Sequence, residues 1–285
     1  MSQKSYDNSP SLYLIPTPIG NLEDITLRSL NMLKSVDVIL CEDTRESSKL
    51  LNYYDIKKKL MSCHEYNEDK IKDEVISLLK QGKNIGLITD QGSPVVSDPG
   101  YVIARHVISH QFNVISLPGA TAFVPALTSS GISPSPFLFY GFLQTKEEKI
   151  RKELTSLKQL PYTLIFYESP HRLIKTLTIM KEVLGNRTIS IHREISKLHE
   201  EVIRGKIQEL LEGTIELKGE FVLIVDGNHE QTDYSSLSVF DHVCLYLEDG
   251  LSEKEAIKVV AKERNVAKSV IYQEYHQQKK LFPGK

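Results

Sequence analysis

The feature that most constrains this chain is a rhythm in its first half. Short runs of apolar, β-branched residues at 12–16, 36–41, 85–89 and 113–117 alternate with longer stretches at 22–33, 47–54, 69–81 and 100–110. In the longer stretches the apolar residues recur every three or four positions. A continuous apolar run suits a strand buried on both faces, and a three-to-four spacing suits a helix buried on one. The alternation therefore predicts an α/β fold, a parallel sheet covered by helices. Beyond Pro134 the rhythm changes: strand patterns at 137–143, 162–167, 187–195, 200–204 and 219–225 follow with fewer helices between them, chiefly 171–184. That pattern predicts a second, mixed α/β domain. The turn-forming run Ser129-Ser130-Gly131-Ile132-Ser133-Pro134-Ser135-Pro136 marks the boundary.

The 285 residues, 40% of them hydrophobic, are enough for more than one core. The expected organisation is a frayed tail at 1–11, α/β domains at 12–128 and 129–235, and a small module at 236–285. No apolar run approaches the roughly 18 residues of a membrane span. The formal charge of −2 excludes a chain-wide basic field, so any nucleic acid must be held by a local patch. Cys41, Cys63 and Cys244 lie far apart without C-x-x-C spacing, which predicts neither disulfides nor a metal site and fits a reducing, cytoplasmic setting.

After a polar, turn-rich connection at 226–238, two helical patterns are read at 252–263 and 267–276, joined by Arg264-Asn265-Val266-Ala267 in the manner of a helix-turn-helix. Ser252 and Glu255 form a capping box at the start of the first. Residues 251–285 carry an excess of four positive charges. Lys254, Lys258 and Lys262 recur every fourth residue on one face, opposite Ala256, Ile257, Val260 and Ala261, and Lys268 follows. Such a stripe is either an RNA-facing surface or a solvated helix face.

In an open parallel sheet, ligands bind outside the carboxyl ends of the strands. Four loops there are unusual: Pro16-Thr17-Pro18-Ile19-Gly20-Asn21, Cys41-Glu42-Asp43-Thr44-Arg45, the segment from Asp90 through Gly92, Ser93, Val96 and Asp98 to Gly100, and Leu117-Pro118-Gly119-Ala120-Thr121-Ala122. None has the spacing of a dinucleotide or P-loop fingerprint. The second half adds Phe166-Tyr167-Glu168-Ser169-Pro170-His171-Arg172 and Arg193-Glu194-Ile195-Ser196-Lys197-Leu198-His199-Glu200-Glu201, which read as a second wall of a cleft.

Taken together, Thr17-Pro18-Ile19-Gly20-Asn21-Leu22, Cys41-Glu42-Asp43-Thr44-Arg45, Ser97-Asp98-Pro99-Gly100, the Phe166–Arg172 block, Arg193-Glu194 with His199-Glu200-Glu201, and Gly219-Glu220-Phe221 resemble the tetrapyrrole-methylase superfamily of S-adenosylmethionine-dependent methyltransferases. Within it they are similar to the branch that methylates a cytidine ribose 2′-oxygen in 16S ribosomal RNA. The chain departs from the family pattern at Gln91 and Ser93 and at Ala120 and Thr121, with Ser93 and Thr121 each keeping a hydroxyl. The resemblance implies two α/β domains with S-adenosylmethionine in the cleft between them, a homodimer, and the assembled small ribosomal subunit as substrate. It places the donor against Pro18, Gly20, Asp90, Gly92, Ser93, Val96, Thr121, Ala122, Phe166 and Tyr167.

A ribose hydroxyl is a poor nucleophile, so a base is expected among Glu168, Glu42, Asp43 and Glu194, with Glu168 preferred for its place at a strand end. Arg45, Arg172, Arg193 and Lys197, with the lysine stripe, are the expected RNA contacts. No metal is expected. The alternatives are a methyltransferase acting on a tetrapyrrole or other small molecule, and a non-catalytic RNA-binding assembly factor on the same scaffold.

Overall fold

The structure is a computed structural model that describes residues 3–5, 7–229, 237–248 and 250–281. It divides into two compact units, 1–228 and 229–285. Within the first unit, strands β1 (Ser11–Leu14), β2 (Val38–Cys41), β3 (Lys59–Ser62), β4 (Ile85–Ile88) and β5 (Asn113–Ser116) form an all-parallel sheet in the order β3-β2-β4-β1-β5. Helices α1 (Leu27–Ser35), α2 (Thr44–Tyr53), α3 (Glu68–Lys80) and α4 (Tyr101–Ser109) connect them.

Every residue of β2 and β4 is buried, and alternate side chains enter two separate cores. Val38, Leu40 and Leu87 pack with Val75, Leu79, Ile103 and Val107, whereas Ile39, Cys41 and Ile88 pack with Leu33 and Leu51. The period of two along the strands thus feeds both helix layers.

β1 and β4 lie side by side although two strands separate them in sequence order. The chain leaves them toward opposite edges, so the loops that follow them open a crevice at the carboxyl end of the sheet. A pair of hydrogen bonds between Thr17 and Gly92, 2.9 and 3.1 Å, joins the two loops.

β6 (Phe137–Phe142), β7 (Thr163–Glu168), β8 (Thr188–Arg193), β9 (Glu201–Lys206) and β10 (Phe221–Val225) make the second sheet, in the order β6-β7-β10-β8-β9. Only β6 and β7 are parallel, which gives the mixed sheet expected. α6 (Glu147–Leu157), α7 (Leu173–Leu184) and α8 (Ile207–Glu212) cover one face, over Leu164, Phe166, Ile191 and Leu223. On the other face α5 (Phe123–Ser129) packs Ala126 and Leu127 on Ile165, Val222 and Ile224. α5 leaves the first sheet after β5, so this contact draws the second sheet across the mouth of the first.

In the second unit, α9 (Val239–Glu248), α10 (Glu253–Glu263) and α11 (Lys268–Leu281) surround Phe240, Val243, Ile257, Val260, Ile271 and Tyr275. Three helices are described where the spacing predicts two, although Val239, Phe240, Val243, Tyr246 and Leu247 of α9 stand at helical spacing. The buried His242 lies 3.0 Å from Glu263 and accepts or shares a bond from Arg264 Nε at 3.1 Å; burial holds its imidazole below its ordinary pKa. The Ser252–Glu255 capping box is formed. Most of the connection expected at 226–238 lies outside the described residues, as do residues 1, 2 and 6 of the expected tail. The rest of that tail is not loose: Gln3 pairs both ways with the backbone of Val114, at 2.7 and 3.1 Å.

One buried carboxylate ties the first sheet's helices to the cleft. Glu68, at the start of α3 and 6% exposed, accepts N–H groups from Gly100 at 2.8 Å, Val102 at 2.9 Å and Ile103 at 3.4 Å. It caps α4 from a neighbouring helix and offsets the positive end of that helix. Glu68→Ala leaves those donors without an acceptor, and urea unfolding is expected to show a loss of about 3 kcal/mol, with Glu68→Gln recovering part of it.

Candidate active site

The carboxyl-end loops of the first sheet and the inner face of the second enclose a cavity of about 350 Å³. This is within the range of small-molecule sites. From the first sheet come Ile19, Gln91, Gly92, Ser93, Val96, Asp98, Thr121 and Ala122; from the second, Phe142, Tyr167, Glu168, Ile195 and Glu220. Of the expected donor contacts, Gly92, Ser93, Val96, Thr121, Ala122 and Tyr167 line it, and so does Glu168.

Gly92 has φ +84°, where a side chain is strained, so its bare backbone forms part of the wall. Val95 and Ser97 adopt φ +76° and +66° in the same loop. For a β-branched valine this is a strained conformation, of the kind that persists where the surroundings over-determine it. The twist turns Val96 and Asp98 into the cavity.

The remaining expected donor contacts lie elsewhere. Phe166 is wholly buried on the helix side of β7, because strand alternation sends it away from Tyr167. Pro18 is buried off the cavity. Asp90 bridges loops by accepting the Asp43 N–H at 3.3 Å. Gly20 serves a different contact: a Cβ there would sit 2.4 Å from Lys197 Cγ. Its lack of a side chain lets the 194–200 loop of the second sheet cross the loop after β1, where Ser196 Oγ also donates to Asp24.

The four expected bases are equally sorted. Glu168, with a side chain 1% exposed, accepts the Ser169 N–H at 2.8 Å and Thr176 Oγ1 at 2.6 Å and faces Arg172 Nε at 3.5 Å. Its oxygens are committed to holding the turn into α7. Asp43 caps α2 and is held down at about 2 by hydrogen bonds from Arg45. Burial works against the charge of Glu194, yet bonds from Lys197 and the Glu220 N–H outweigh it and leave its pKa below the ordinary value. Glu42 is raised by burial and by Asp90, but it does not line the cavity.

Three expected RNA contacts are engaged internally. Arg172 donates to the carbonyls of Leu143 at 3.0 Å and Gln144 at 2.8 Å, Arg193 pairs with Glu201 at 3.0 Å and Glu216 at 3.1 Å, and Lys197 pairs with Glu194 and Glu220. Arg45 is open to solvent beside Asp43. Lys254, Lys258, Lys262 and Lys268 are exposed, and none is ion-paired among the described residues.

Two cavity residues escape the motif reading. Phe142 is 54% exposed, edge-on to Tyr167 at 5.5 Å. Asp98 was legible as part of Ser97-Asp98-Pro99-Gly100, but its direction depends on backbone angles that the sequence does not display. Burial raises its carboxyl to about 7, with the carboxylates of Glu42 and Asp90 adding to the effect. Burial also lifts the Tyr167 phenol to about 12. Among the described residues no group of three or more His, Cys, Asp or Glu is placed to hold a metal.

The contact between Gly20 and Lys197 generates a double-mutant test. Gly20→Ala is expected to cost about 1–3 kcal/mol in denaturant unfolding, and less in a Lys197→Ala background, where the obstructing stem is gone but the strain of a side chain at φ +135° remains.

The model of the Tetrapyrrole (Corrin/Porphyrin) Methylases matches residues 11–211. Among curated proteins, the chain is 47% identical over 273 residues to the ribosomal RNA small subunit methyltransferase I of Bacillus subtilis (strain 168), covering 93% of this chain and 94% of that one. It is 46% identical to the protein of the same name from Halalkalibacterium halodurans, covering 97% and 99%. Among solved structures, the methyltransferase CobJ aligns with a TM-score of 0.58 at 15% identity, covering 77% of this chain and 95% of that one. Uroporphyrin III C-methyl transferase from Thermus thermophilus aligns with a TM-score of 0.54 at 18% identity, covering 76% and 97%. The structural likenesses establish the fold and the sequence matches the lineage: the chain belongs to the tetrapyrrole (corrin/porphyrin) methylase family of methyltransferases.

Proposed function

We propose that this protein transfers a methyl group from S-adenosylmethionine to the ribose 2′-oxygen of a cytidine in 16S ribosomal RNA, acting on the assembled small subunit. The observation that carries the reading is the cavity between the two sheets, in a chain 47% identical across nearly its whole length to a relative named for methylating small-subunit RNA. Domain limits at 12–128, 129–235 and 236–285, a homodimer and a cytoplasmic setting belong to the same proposal.

The residues present suit the donor. The bare backbone at Gly92 admits close approach, and the Thr121 hydroxyl and nearby amides offer hydrogen bonds to a ribose and a carboxylate, while the Ser93 hydroxyl, which donates to the Ala120 carbonyl at 3.1 Å, offers an acceptor. Ile19, Val96, Ala122 and Phe123 supply apolar walls for a purine. When bound, S-adenosylmethionine supplies an electrophilic methyl carbon on a sulfonium. The protein's part is to hold the ribose oxygen in line with that carbon, an alignment worth several kcal/mol. Glu168 fixes the turn 168–172, and Tyr167, braced edge-on by Phe139 at 5.1 Å and Phe142, gives the substrate side a rigid aromatic wall. The exposed lysines of α10 and Lys268 are the proposed phosphate contacts, while Arg172 and Arg193 act inside the fold.

The test offers labelled S-adenosylmethionine with small ribosomal subunits and, separately, with a porphyrinogen. Label is expected only in the RNA, at a cytidine whose 3′ linkage resists alkali. Label in the porphyrinogen alone would overturn the substrate assignment, and no transfer to either would overturn the enzymatic one. Subunit binding is expected to weaken steeply with salt. Lys254→Ala, Lys258→Ala and Lys262→Ala should each lower the slope of log affinity against log salt by about 1 if each neutralises one phosphate. An unchanged slope would return the stripe to a solvated face.

A further inference from the structure

The first sheet is polarised in charge along its strands. Glu42, Asp43, Asp90 and Asp98 lie at the carboxyl ends of β2 and β4 or in the loops that follow, and lysines gather at the amino ends of the same two strands and of β3. Lys34 is in the last turn of α1, ahead of β2; Lys57, Lys58 and Lys59 run into β3; Lys80 and Lys83 flank the turn into β4. The three strands are neighbours, and Val38 stands level with Lys59 on one side and Ile85 on the other. The turns that carry the lysines therefore form one row about 10 Å across. Segments 34–37, 55–59 and 80–84 hold these six lysines against Asp37 and Asp55, a local excess of four positive charges in a chain of formal charge −2.

The row is built on fixed backbone. The Asp37 N–H donates to the Asn84 carbonyl at 2.9 Å, and the Asn84 N–H donates to Asp37 Oδ2 at 2.8 Å. Asn84 Oδ1 accepts the Ser11 N–H at 3.1 Å. After α2 the chain turns at Asp55, with φ +55°, and is anchored by Ile56, which is buried and donates its N–H to the Leu51 carbonyl at 2.8 Å. Lys34, Lys57, Lys59 and Lys80 are exposed, and Lys58 and Lys83 are half-buried. No side chain of the six is ion-paired or hydrogen-bonded among the described residues.

Two ordinary duties account for part of the cluster. A cation in the last turn of a helix offsets its negative end, which employs Lys34 and Lys80. A lysine on an edge strand discourages pairing with another sheet, which employs Lys59 on β3. Neither duty calls for Lys57, Lys58 or Lys83, and like charges set side by side repel one another. A row of cations without counter-charges is complementary to a phosphate backbone, whose condensed counterions are released when it binds.

Resting on the RNA-methylation reading above, we propose that the amino end of the first sheet is a second RNA-binding surface, which holds phosphates of the small ribosomal subunit away from the cavity. The full length of β2 and β4 separates the row from the cavity. A short RNA engaged at the cavity does not span both ends of the sheet, whereas a folded subunit presents backbone on more than one side. The row is thus a second attachment for the assembled subunit, and two linked attachments bind more tightly than either alone. This surface lets the protein favour the assembled subunit over naked RNA.

The test measures equilibrium binding of the full-length protein to small subunits and to a short RNA centred on the cytidine that labelling identifies, each across a range of salt. With Lys57→Ala, Lys58→Ala and Lys59→Ala combined, affinity for the subunit is expected to fall about 10-fold or more at 0.1 M salt. The slope of log affinity against log salt should drop by about 2 to 3. Affinity for the short RNA, and calorimetric binding of the demethylated donor S-adenosylhomocysteine, should stay as in wild type. In single-turnover transfer the subunit concentration giving half the maximal rate should rise while the maximal rate holds. Lys57→Arg, Lys58→Arg and Lys59→Arg combined keep the charge and should bind subunits as wild type does.

An alanine variant with wild-type affinity and slope would overturn the proposal and leave these lysines to the helix ends and the sheet edge. Equal weakening toward the short RNA and the subunit would overturn it as well, since the row would then belong to the cavity's own contacts. So would an arginine variant as weak as the alanine one, the mark of disturbed packing. Subunit binding is read without methyl transfer, so a wild type that binds through the row and transfers nothing would overturn the methyl-transfer reading and leave this surface standing.

Discussion

The cavity depends on the joining of two loops that are distant in sequence. Thr17 and Gly92 exchange backbone hydrogen bonds, and the buried Thr17 hydroxyl donates to the carbonyl of Thr89 at 3.1 Å. Loops at the carboxyl end of a parallel sheet carry backbone groups with no ladder to satisfy them, so each must find a partner or face water. Here the loops after β1 and β4 satisfy one another, and the strand order that places β1 beside β4 makes the exchange possible. Once joined, they form a fixed floor. α5, which continues from the same edge, lays the second sheet over it, and the crossing of Lys197 over Gly20 closes one side.

The acids around this floor are separated by environment. Glu168, Asp43 and Glu194 are given donors, and each fixes backbone: the turn into α7, the start of α2 and the entry to β10. Asp98 and Glu42 receive no such partners among the described residues, and burial, with neighbouring carboxylates adding to it, holds their protons more tightly. Pairs of like groups pushed apart in this way are a common means of assigning acid–base roles within one site.

Much of the architecture was legible because strand and helix periods differ. Val38-Ile39-Leu40-Cys41 and Ile85-Gly86-Leu87-Ile88 read as doubly buried strands and are so. Lys59-Leu60-Met61-Ser62 escaped notice, having no β-branched residue and an edge position that leaves it partly exposed, where burial imposes little pattern. α9 also escaped notice, although Val239, Phe240, Val243, Tyr246 and Leu247 stand at helical spacing. In the site, Gly92, Ser93 and Thr121 were legible from turn chemistry. Alternation establishes that Phe166 and Tyr167 face opposite ways, but the side holding the cavity is set by α5, a tertiary fact. Arg172 and Arg193 read as surface cations because their acceptors, the Leu143 and Gln144 carbonyls and Glu216, are remote in sequence.

On the proposed reading, the same charge distribution bears on how an RNA is handled by a chain of formal charge −2. Glu42, Asp43, Asp90 and Asp98 gather at the tips of β2 and β4, a field that attracts a sulfonium and repels phosphate. A nucleotide entering the cavity must then present its ribose and base while its phosphates remain outside, since two like charges about 4 Å apart cost several kcal/mol at a partly buried site. Phe142, half exposed against Tyr167, offers a face on which an unstacked base recovers part of its lost stacking, of the order of 1–3 kcal/mol. Attraction for the backbone must then come from cations outside the cavity's own lining, and the exposed lysines of α10, none of them ion-paired among the described residues, are the proposed source. The near-neutral total charge is thus compatible with an RNA substrate, because the acids at the strand tips and the basic helix answer to different parts of the same nucleotide chain.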